Sequence, residues 1–171
     1  MKNAIKLAFE FMNALPDECP ENTEGYEGFY HVENIKGTVE EAAAEYLIRD
    51  HDKYKFEERK ELFVKTADKL NQKYGTEIFH VKICDTYSNM REMIEKDMRI
   101  VDRLIEAMKC VGVEPEISPI RGGTDGARLS FEGLLCPNIC TGTEGSHSRN
   151  EFACIEDMEK VVEILINLVK V

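Results

Sequence analysis

The run Arg121-Gly122-Gly123-Thr124-Asp125 has the residue types and spacing best suited to binding an anion. Two adjacent glycines let backbone N–H groups converge on a ligand, and a helix beginning at Thr124 or Asp125 would add the partial positive charge of its N-terminus. Arg121 beside these donors could bind a carboxylate through two parallel hydrogen bonds. The run therefore predicts an anion or carboxylate pocket. The alternative is a tight turn with Asp125 as helix N-cap and Arg121 on the surface.

A second candidate is His147, in the polar loop that runs from Gly145 to Glu151. A histidine in such a loop can ligate a metal ion while a nearby carboxylate orients it. The alternative is an ordinary surface histidine. Arg49 closes a predicted strand and is followed by Asp50, a pattern that by itself indicates only a solvated ion pair.

Hydrophobic periodicity predicts the elements that position these residues. Apolar residues at helical spacing predict helices over about 5–15, 56–74, 98–108 and 158–168, with Gly75 and Gly112 at two C-terminal ends. Strands are predicted over 25–32, 79–84 and 137–140. Residues 37–50 are ambiguous, because local propensity favours a helix whereas the alternation of apolar and charged residues favours a strand. We take the alternation as the stronger signal.

The order of these elements predicts a mixed fold in two parts. The sequence helix, strand, strand, helix, strand indicates an antiparallel α+β layer with two helices on one face, resembling a split βαβ unit that lacks its first strand. The second half alternates helix and short strand, which indicates an α/β layer. We place the boundary near residues 88–92, giving domains over 1–90 and 91–171.

Composition disfavours several classes of partner. The chain has 171 residues, and 33 Asp and Glu against 22 Lys and Arg give a net charge of −11. This charge disfavours nucleic acid and anionic membrane surfaces. No apolar run has the length of a membrane span or the pattern of a signal peptide. Six scattered cysteines without an export signal indicate reduced thiols and a cytoplasmic location.

Seven segments match, in order, the motifs of one known family. They are Thr23–His31, Lys36–Glu40, Ile48–Asp50, Tyr87–Glu92, Ile120–Phe131, Cys136–Ile139 and His147–Glu151. These segments resemble the C-terminal portion of the peptidase T branch of the dinuclear-zinc M20 metallopeptidase family. The members of this branch are tripeptide aminopeptidases. The match extends over essentially the whole chain, and the Arg-Gly-Gly-Thr-Asp-Gly run is its most specific part.

The resemblance implies a fold and a limit on activity. Residues 1–90 would form an incomplete ferredoxin-like lid, or dimerisation, domain, and residues 91–171 the C-terminal α/β piece of the catalytic domain. The first lid strand and the segment that carries the other zinc ligands and the general base are expected to be missing from this sequence. Catalytic zinc takes three protein ligands, so we expect the chain alone to be inactive and to supply no catalytic residue.

The resemblance also implies roles at the metal. His147 would be a ligand in an enzyme that holds two zinc ions, and this chain would supply at most that one ligand. Glu151 would be the acidic residue that supports it. His31 lies in a family motif but receives no role.

At the other end of the substrate, the resemblance implies that Arg121 and Arg49 bind the peptide carboxylate. Gly122, Gly123 and Thr124 would supply backbone donors beside it. Two arginines at a fixed distance from the metals would measure peptide length, which would account for a preference for tripeptides.

The implied partners are tripeptides and either a second copy of the chain or a complementary N-terminal fragment. The alternative is a non-catalytic dimerisation or carboxylate-binding module. An open sheet edge where the first lid strand is missing would favour such association.

Overall fold

The computed structural model describes residues 2–86 and 88–170, which divide into two compact units between Asp85 and Thr86. Tyr87, in the predicted return segment Tyr87–Glu92, lies outside the described residues. Helices combine with small antiparallel sheets, which confirms the predicted mixed α+β and α/β class. None of the described helices is both long enough and apolar enough to span a membrane.

The elements follow one another along the chain, first in one unit and then in the other. The first unit holds α1 (Ala4–Ala14), β1 (Phe29–Gly37), β2 (Ala42–Arg49) and α2 (Lys53–Tyr74). The second holds α3 (Arg91–Ile94), α4 (Arg99–Cys110), α5 (Asp125–Phe131), β3 (Thr143–Glu144), β4 (Phe152–Ala153) and α6 (Ile155–Val169). Strand β1 pairs antiparallel with β2, and β3 with β4.

The four predicted helices form at the predicted places, as α1, α2, α4 and α6. Side-chain caps fix two of their N-terminal ends: Asn3 accepts the N–H groups of residues 5 and 6, and Asp52 accepts those of residues 54 and 55. Helix α2 ends at Gly75, which adopts a left-handed conformation with φ of 66°.

Residues 42–49 form strand β2, so alternation and not local helix propensity decides this segment. Pairing with β1 sets Phe29 opposite Arg49 and Gly37 opposite Ala42. In this register Ala42, Ala44 and Tyr46 are less exposed than the intervening Ala43 and Glu45. The inward face contacts α1 and α2, which is the predicted two-helix cover on one face.

The core of the first unit is a cluster of aromatic and aliphatic side chains. Phe11, Ala67 and Leu70 are buried at its centre. The partly buried side chains packed around them are Leu15, Tyr46, Phe63, Phe79 and Val81. Phe11 meets the rings of Tyr46 and Phe63 edge to face at 6.3 and 4.9 Å between centroids, an arrangement that adds to simple burial.

The predicted strand over residues 79–84 is wrong. The segment lacks strand pairing, although Phe79 and Val81 face the core as the alternation predicted. The side chain of Asn71, and not a neighbouring strand, bonds to the backbone at the start of this segment. Its Oδ1 accepts the N–H groups of Ile78 and Phe79 at 2.8 Å, and its Nδ2 donates to the Phe79 carbonyl at 2.9 Å. Phe79 and Val81 therefore face the core as strand residues would, without belonging to a sheet.

Two other strand predictions need correction. Strand β1 begins at Phe29 and extends to Gly37, so it lies further along the chain than the predicted 25–32. The segment 137–140 forms no strand, and hydrogen bonds at and just before it lead to α5 and its N-cap. Cys136 N–H donates to Ser130 Oγ at 3.0 Å, and Asn138 donates to Thr124 Oγ1 at 3.3 Å.

The second unit is built around the packing of α4 against α6. Ile164 of α6 and Ala107 of α4 are the buried residues of the two helices. All six cysteines are free thiols in the described residues. The unit therefore depends on one helix pair and on a short helix, α5, bonded to the segment that follows it.

Candidate functional site

The Arg121–Thr124 loop leads directly into α5, and Thr124 is the N-cap of that helix. Thr124 has extended backbone angles, and its Oγ1 accepts the Ala127 N–H at 3.3 Å. Asp125 is the first residue inside the helix, so the alternative that makes Asp125 the N-cap is wrong. The loop backbone, including Gly122 and Gly123, is exposed, whereas Arg121 is half-buried.

Helix α5 holds this loop in place through a buried hydroxyl. Ser130 is fully buried, and its Oγ donates to the Gly126 carbonyl at 2.7 Å while it accepts the Cys136 N–H at 3.0 Å. A Cβ at Gly126 would lie only 2.6 Å from the Cys136 carbonyl oxygen, so a glycine permits the close approach. Asn138 completes the connection by donating to Thr124 Oγ1.

A cavity of about 370 Å³ opens where the loop meets the helix. Its lining residues are Thr86, Gly123, Thr124, Asp125 and Arg128. The cationic Arg128 and the anionic Asp125 contribute opposite charges to its wall. The space beside Gly122 is open, because a Cβ there would meet no heavy atom within 4 Å.

Thr86 and Arg128 line the cavity but are not among the predicted site residues. Arg128 could have been found from spacing, since residues four apart share a helix face and it follows Thr124 by four positions. Thr86 is distant from the loop in sequence, and no pattern around it indicates a site.

His147 lies in the loop that joins β3 to β4 and is exposed. Its φ of 67° places a non-glycine residue in the left-handed region, which is uncommon. The carboxylate of Glu151 accepts the His147 backbone N–H at 3.0 Å, and Ser148 N–H donates to the Gly145 carbonyl at 3.0 Å. Glu151 therefore bonds to the backbone of His147, the predicted metal ligand. The sequence had predicted an acidic residue that supports His147 but not which atom it contacts.

The hairpin that carries His147 is fixed to the start of α6. Cys154 N–H donates to the Gly142 carbonyl at 2.9 Å. Gly142 has φ of 76°, and a Cβ there would lie 2.6 Å from the Met158 nitrogen. The first turn of α6 thus leaves no room for a side chain at position 142, and the loop end is anchored on a helix.

No group of three or more His, Cys, Asp and Glu side chains that could hold a metal occurs within residues 2–86 and 88–170. Catalytic zinc takes three protein ligands and a water. The described residues therefore do not fit a complete zinc site, and His147 would be at most one of its ligands.

Arg49 lies in the first unit as the last residue of β2, opposite Phe29, and is half-buried. Its neighbour Asp50 is not solvated: only 2% of the Asp50 side chain is exposed, and its Oδ2 accepts from Arg59 Nε at 2.7 Å. Arg59 also donates to Glu18. The Asp50 carboxylate is thus buried in an ion pair with Arg59, where the sequence indicated a solvated one.

The surroundings of this ion pair are tightly packed. Burial alone would lower the pKa of Arg59, but its hydrogen bonds to Asp50 and Glu18 outweigh burial and raise that pKa, so the guanidinium stays charged. A Cβ at Gly28 would lie 2.2 Å from Asp50 Oδ2 and 2.6 Å from the Arg49 carbonyl oxygen. Gly28 is therefore needed for β2 to end where it does.

The structure brings together some of the predicted site residues. Gly123 and Thr124 share one cavity, and Arg121 and Gly122 precede them on the same loop. His147 lies on a separate hairpin of the same unit. Arg49 belongs to the other unit.

Comparison with known proteins finds peptidases of one family. The sequence profile of the peptidase family M20/M25/M40 matches residues 24–171. A Peptidase T of Caldanaerobacter subterraneus subsp. tengcongensis is 50% identical over 171 residues, which are 99% of this chain and 42% of that protein. A Peptidase T of Clostridium perfringens (strain ATCC 13124) is 51% identical over 172 residues, with 100% and 42% covered.

A solved structure shows the same fold. The aminopeptidase PepT from Bacillus cereus ATCC 10987 superimposes with a TM-score of 0.63 at 15% identity, covering 98% of this chain and 45% of that one. The predicted resemblance to the peptidase T branch is confirmed. The chain spans about two fifths of the length of the curated relatives it matches.

Proposed function

The chain belongs to peptidase family M20/M25/M40, and we propose that it supplies the carboxylate pocket and one metal ligand of a zinc-dependent tripeptide aminopeptidase. One observation carries the proposal. In a chain about half identical to proteins named Peptidase T, an exposed glycine loop leads from the half-buried Arg121 to a cavity of about 370 Å³ that Gly123 and Thr124 line.

In this proposal Arg121 binds the carboxylate end of the peptide, and the backbone N–H groups of Gly122, Gly123 and Thr124 donate to it. Charged hydrogen bonds of this kind are about twice as strong as neutral ones. Arg128 lines the same cavity with the oppositely charged Asp125, and its Nε donates to Glu132 at 3.1 Å.

The first unit would be the lid, or dimerisation, domain and the second a C-terminal piece of the catalytic domain. Arg49 would reach the same carboxylate from the lid. The buried pair of Asp50 with Arg59 supports this role, because it fixes the end of the strand that carries Arg49.

His147 would be one zinc ligand in an enzyme with two zinc ions, held in its left-handed conformation by Glu151. Zinc would supply an activated water for hydrolysis of the peptide bond. The other ligands and the general base would come from the part of the fold that this chain does not span, so the chain alone would be inactive.

Binding of a peptide carboxylate tests the pocket directly. Trialanine added to the ¹⁵N-labelled chain should shift the amide resonances of Gly122, Gly123 and Thr124, whereas trialanine amide should not, because it lacks the carboxylate. Arg121→Ala should abolish the shifts. Arg99→Ala, which removes an exposed arginine of α4, should preserve them. Equal shifts with the amide, or shifts unaffected by Arg121→Ala, would contradict the proposal.

Hydrolysis tests the activity. The purified chain with excess Zn²⁺ should not hydrolyse trialanine. Zinc-dependent turnover that is lost in His147→Ala would show that the chain assembles a complete site, and our account of inactivity would be wrong. Carboxylate binding that never leads to turnover, even with the missing part of the fold supplied, would favour the non-catalytic binding module.

A further inference from the structure

Arg59, near the start of α2, lies between two carboxylates from separate segments of the first unit. Its Nε donates to Asp50 Oδ2 at 2.7 Å, and its Nη1 donates to Glu18. The side chains of Arg59 and Asp50 are 16% and 2% exposed, so the bond between them is shielded from solvent. The Arg59 guanidinium therefore joins the loop before β1 to the turn after β2.

Asp50 uses both of its carboxylate oxygens to fix the turn between β2 and α2. While Oδ2 accepts from Arg59, Oδ1 accepts the Asp52 N–H at 2.9 Å. Asp52 is itself the N-cap of α2. The turn is thus attached to the helix at two points, which restricts the backbone of Arg49, the residue directly before Asp50.

Glu18, the other carboxylate partner, is fixed by its own backbone. Its carbonyl accepts the Tyr30 N–H at 2.8 Å, and the Tyr30 hydroxyl donates to the Arg59 carbonyl at 3.3 Å. The Arg59 guanidinium lies 5.2 Å from the centroid of the Tyr30 ring, within the range of a cation–π contact. The loop, β1 and the turn after β2 therefore each contact Arg59 separately.

This arrangement requires a guanidinium. The bonds to Asp50 and Glu18 leave from different nitrogens of one planar group, so its geometry fixes the two carboxylates relative to each other. A lysine at position 59 would keep the positive charge but present it at one nitrogen on a flexible stem. Arg59→Lys therefore separates the effect of charge from the effect of geometry.

We propose that Arg59 is a positioning residue that, through Asp50 and Glu18, holds the guanidinium of Arg49. The Nε of Arg49 is shielded from solvent, which is the arrangement expected of a side chain held in one place. The proposal rests on the proposed function, in which Arg49 binds the carboxylate of a tripeptide. An arginine that is fixed before the peptide arrives loses less conformational freedom on binding. Selectivity for a free carboxylate then depends on Arg59, which does not itself touch the peptide.

The first measurement follows the Nε–H of Arg49 in the ¹⁵N-labelled chain without ligand, and Arg49→Lys identifies this resonance by removing it. Exchange with water should be slow in the parent chain, because the Nε is shielded. Arg59→Lys should accelerate it about tenfold or more, since one arm of the fork is lost. Glu18→Gln weakens only the second arm and should accelerate it less.

The backbone amides of Ala67 and Leu70, buried in the same helix, separate positioning from a general loss of stability. A merely structural role would accelerate their exchange as much as that of the Arg49 Nε–H. A positioning role accelerates the Arg49 Nε–H more. Lys65→Ala, which removes an exposed ion pair of α2, is the control and should change none of these rates.

The second measurement compares the affinities of the chain for trialanine and for trialanine amide, which lacks the carboxylate. The parent chain should prefer trialanine. Arg59→Lys should reduce this preference about tenfold, the contribution of one charged hydrogen bond, and so approach the preference of Arg49→Ala. Lys65→Ala should keep the preference of the parent chain.

Each outcome decides the proposal. Exchange of the Arg49 Nε–H that rises no more than that of the helix amides overturns it, and so does a preference for trialanine that Arg59→Lys leaves unchanged. If Arg59→Lys unfolds the first unit, Glu18→Gln gives the answer, because its side chain is 45% exposed. A rise confined to Arg49 in a chain whose parent binds both peptides equally would confirm that Arg59 holds Arg49. It would at the same time reject the carboxylate role of Arg49, so the two failures are distinguishable.

Discussion

Arg49 and Arg121, the two arginines that we propose bind the peptide carboxylate, are held in contrasting ways. Arg49 ends a paired strand, and its carbonyl oxygen lies so close to Gly28 that a Cβ at position 28 would clash with it. The next residue, Asp50, forms a buried ion pair with Arg59. Arg121 begins an exposed loop in which the neighbouring Gly122 meets open space. The backbone is thus fixed around one arginine and adaptable around the other.

The two units also differ in how completely they bury their apolar side chains. The first buries aromatic side chains from α1, β2, α2 and the 79–81 segment in one core. The second packs α4 on α6 but leaves several apolar side chains of α6 exposed, among them Ile155 and Val162. We therefore expect the first unit to respond more strongly than the second to substitutions in its interior.

The largest expected effect is at the buried ion pair. Asp50→Ala leaves Arg59 paired with Glu18 and should lower the free energy of unfolding by about 3 kcal/mol, as removal of one buried partner does. Hydrogen exchange of the β1 and β2 amides measures it, with the α6 amides as internal reference. Asp68→Ala, on the exposed side of α2, is the control. A loss below 1 kcal/mol would mean that the end of β2 is not held by this pair.

A matched pair of glycines sharpens the contrast between the two arginines. Gly28→Ala should destabilise by about 1–3 kcal/mol, because its Cβ would lie 2.2 Å from Asp50 Oδ2 and 2.6 Å from a backbone oxygen. Gly122→Ala should change stability by less than about 0.5 kcal/mol, since its Cβ meets nothing. Urea denaturation of both variants is the measurement. Equal effects would remove the distinction between a fixed and an adaptable backbone.

The buried hydroxyl of Ser130 provides the corresponding test in the second unit. Ser130→Ala removes the bond to the Gly126 carbonyl and leaves the Cys136 N–H without this acceptor, which should cost about 1–3 kcal/mol. It should also broaden the amide resonances of the Arg121–Thr124 loop. Ser148→Ala, in an exposed loop, is the control. Unchanged loop resonances would show that α5 does not position the pocket.

The sequence predicted local features well and partners across the fold poorly. The end of α2 at Gly75, the alternation of β2 and the glycine loop before α5 all depend on neighbouring residues, so they could be predicted. The partnership of Arg59 with Glu18, 41 residues away, could not. Nor could the replacement of a strand partner by the side chain of Asn71, since nothing in the alternation of 79–83 shows which group will bond to its backbone.

Helix α6 also shows that a local pattern does not identify the partners of an element. Its periodicity, read from Met158, Val161, Leu165 and Leu168, predicted a helix correctly. The structure divides these residues, with Val161 and Leu168 half-buried and Met158 and Leu165 exposed. Periodicity reports that a face is apolar, but it does not report which neighbour covers that face.

The smallest expected effect comes from Tyr46, whose hydroxyl lies in the core of the first unit at a cost in free energy. Its hydroxyl is buried and has no hydrogen-bond partner, and burial raises its pKa to about 12 from an ordinary value of 10. Tyr46→Phe keeps the ring contacts and removes the unbonded hydroxyl, so stability near pH 7 should stay the same or rise by about 1 kcal/mol.

The pH dependence gives this prediction a second, sharper readout. A folded-state pKa above the unfolded one means that the folded chain keeps its proton longer, so the stability tied to Tyr46 is complete below pH 10 and is lost as the pH rises towards 12. The phenylalanine variant lacks this loss, and its advantage over the parent chain should therefore grow between pH 10 and 12. Thermal unfolding of both chains at several pH values measures the difference in their stability. Groups that titrate equally in both chains do not contribute to this difference. An advantage that stays constant across this range would mean that the hydroxyl reaches solvent, and the core of the first unit would then be less closed than the contrast with α6 requires.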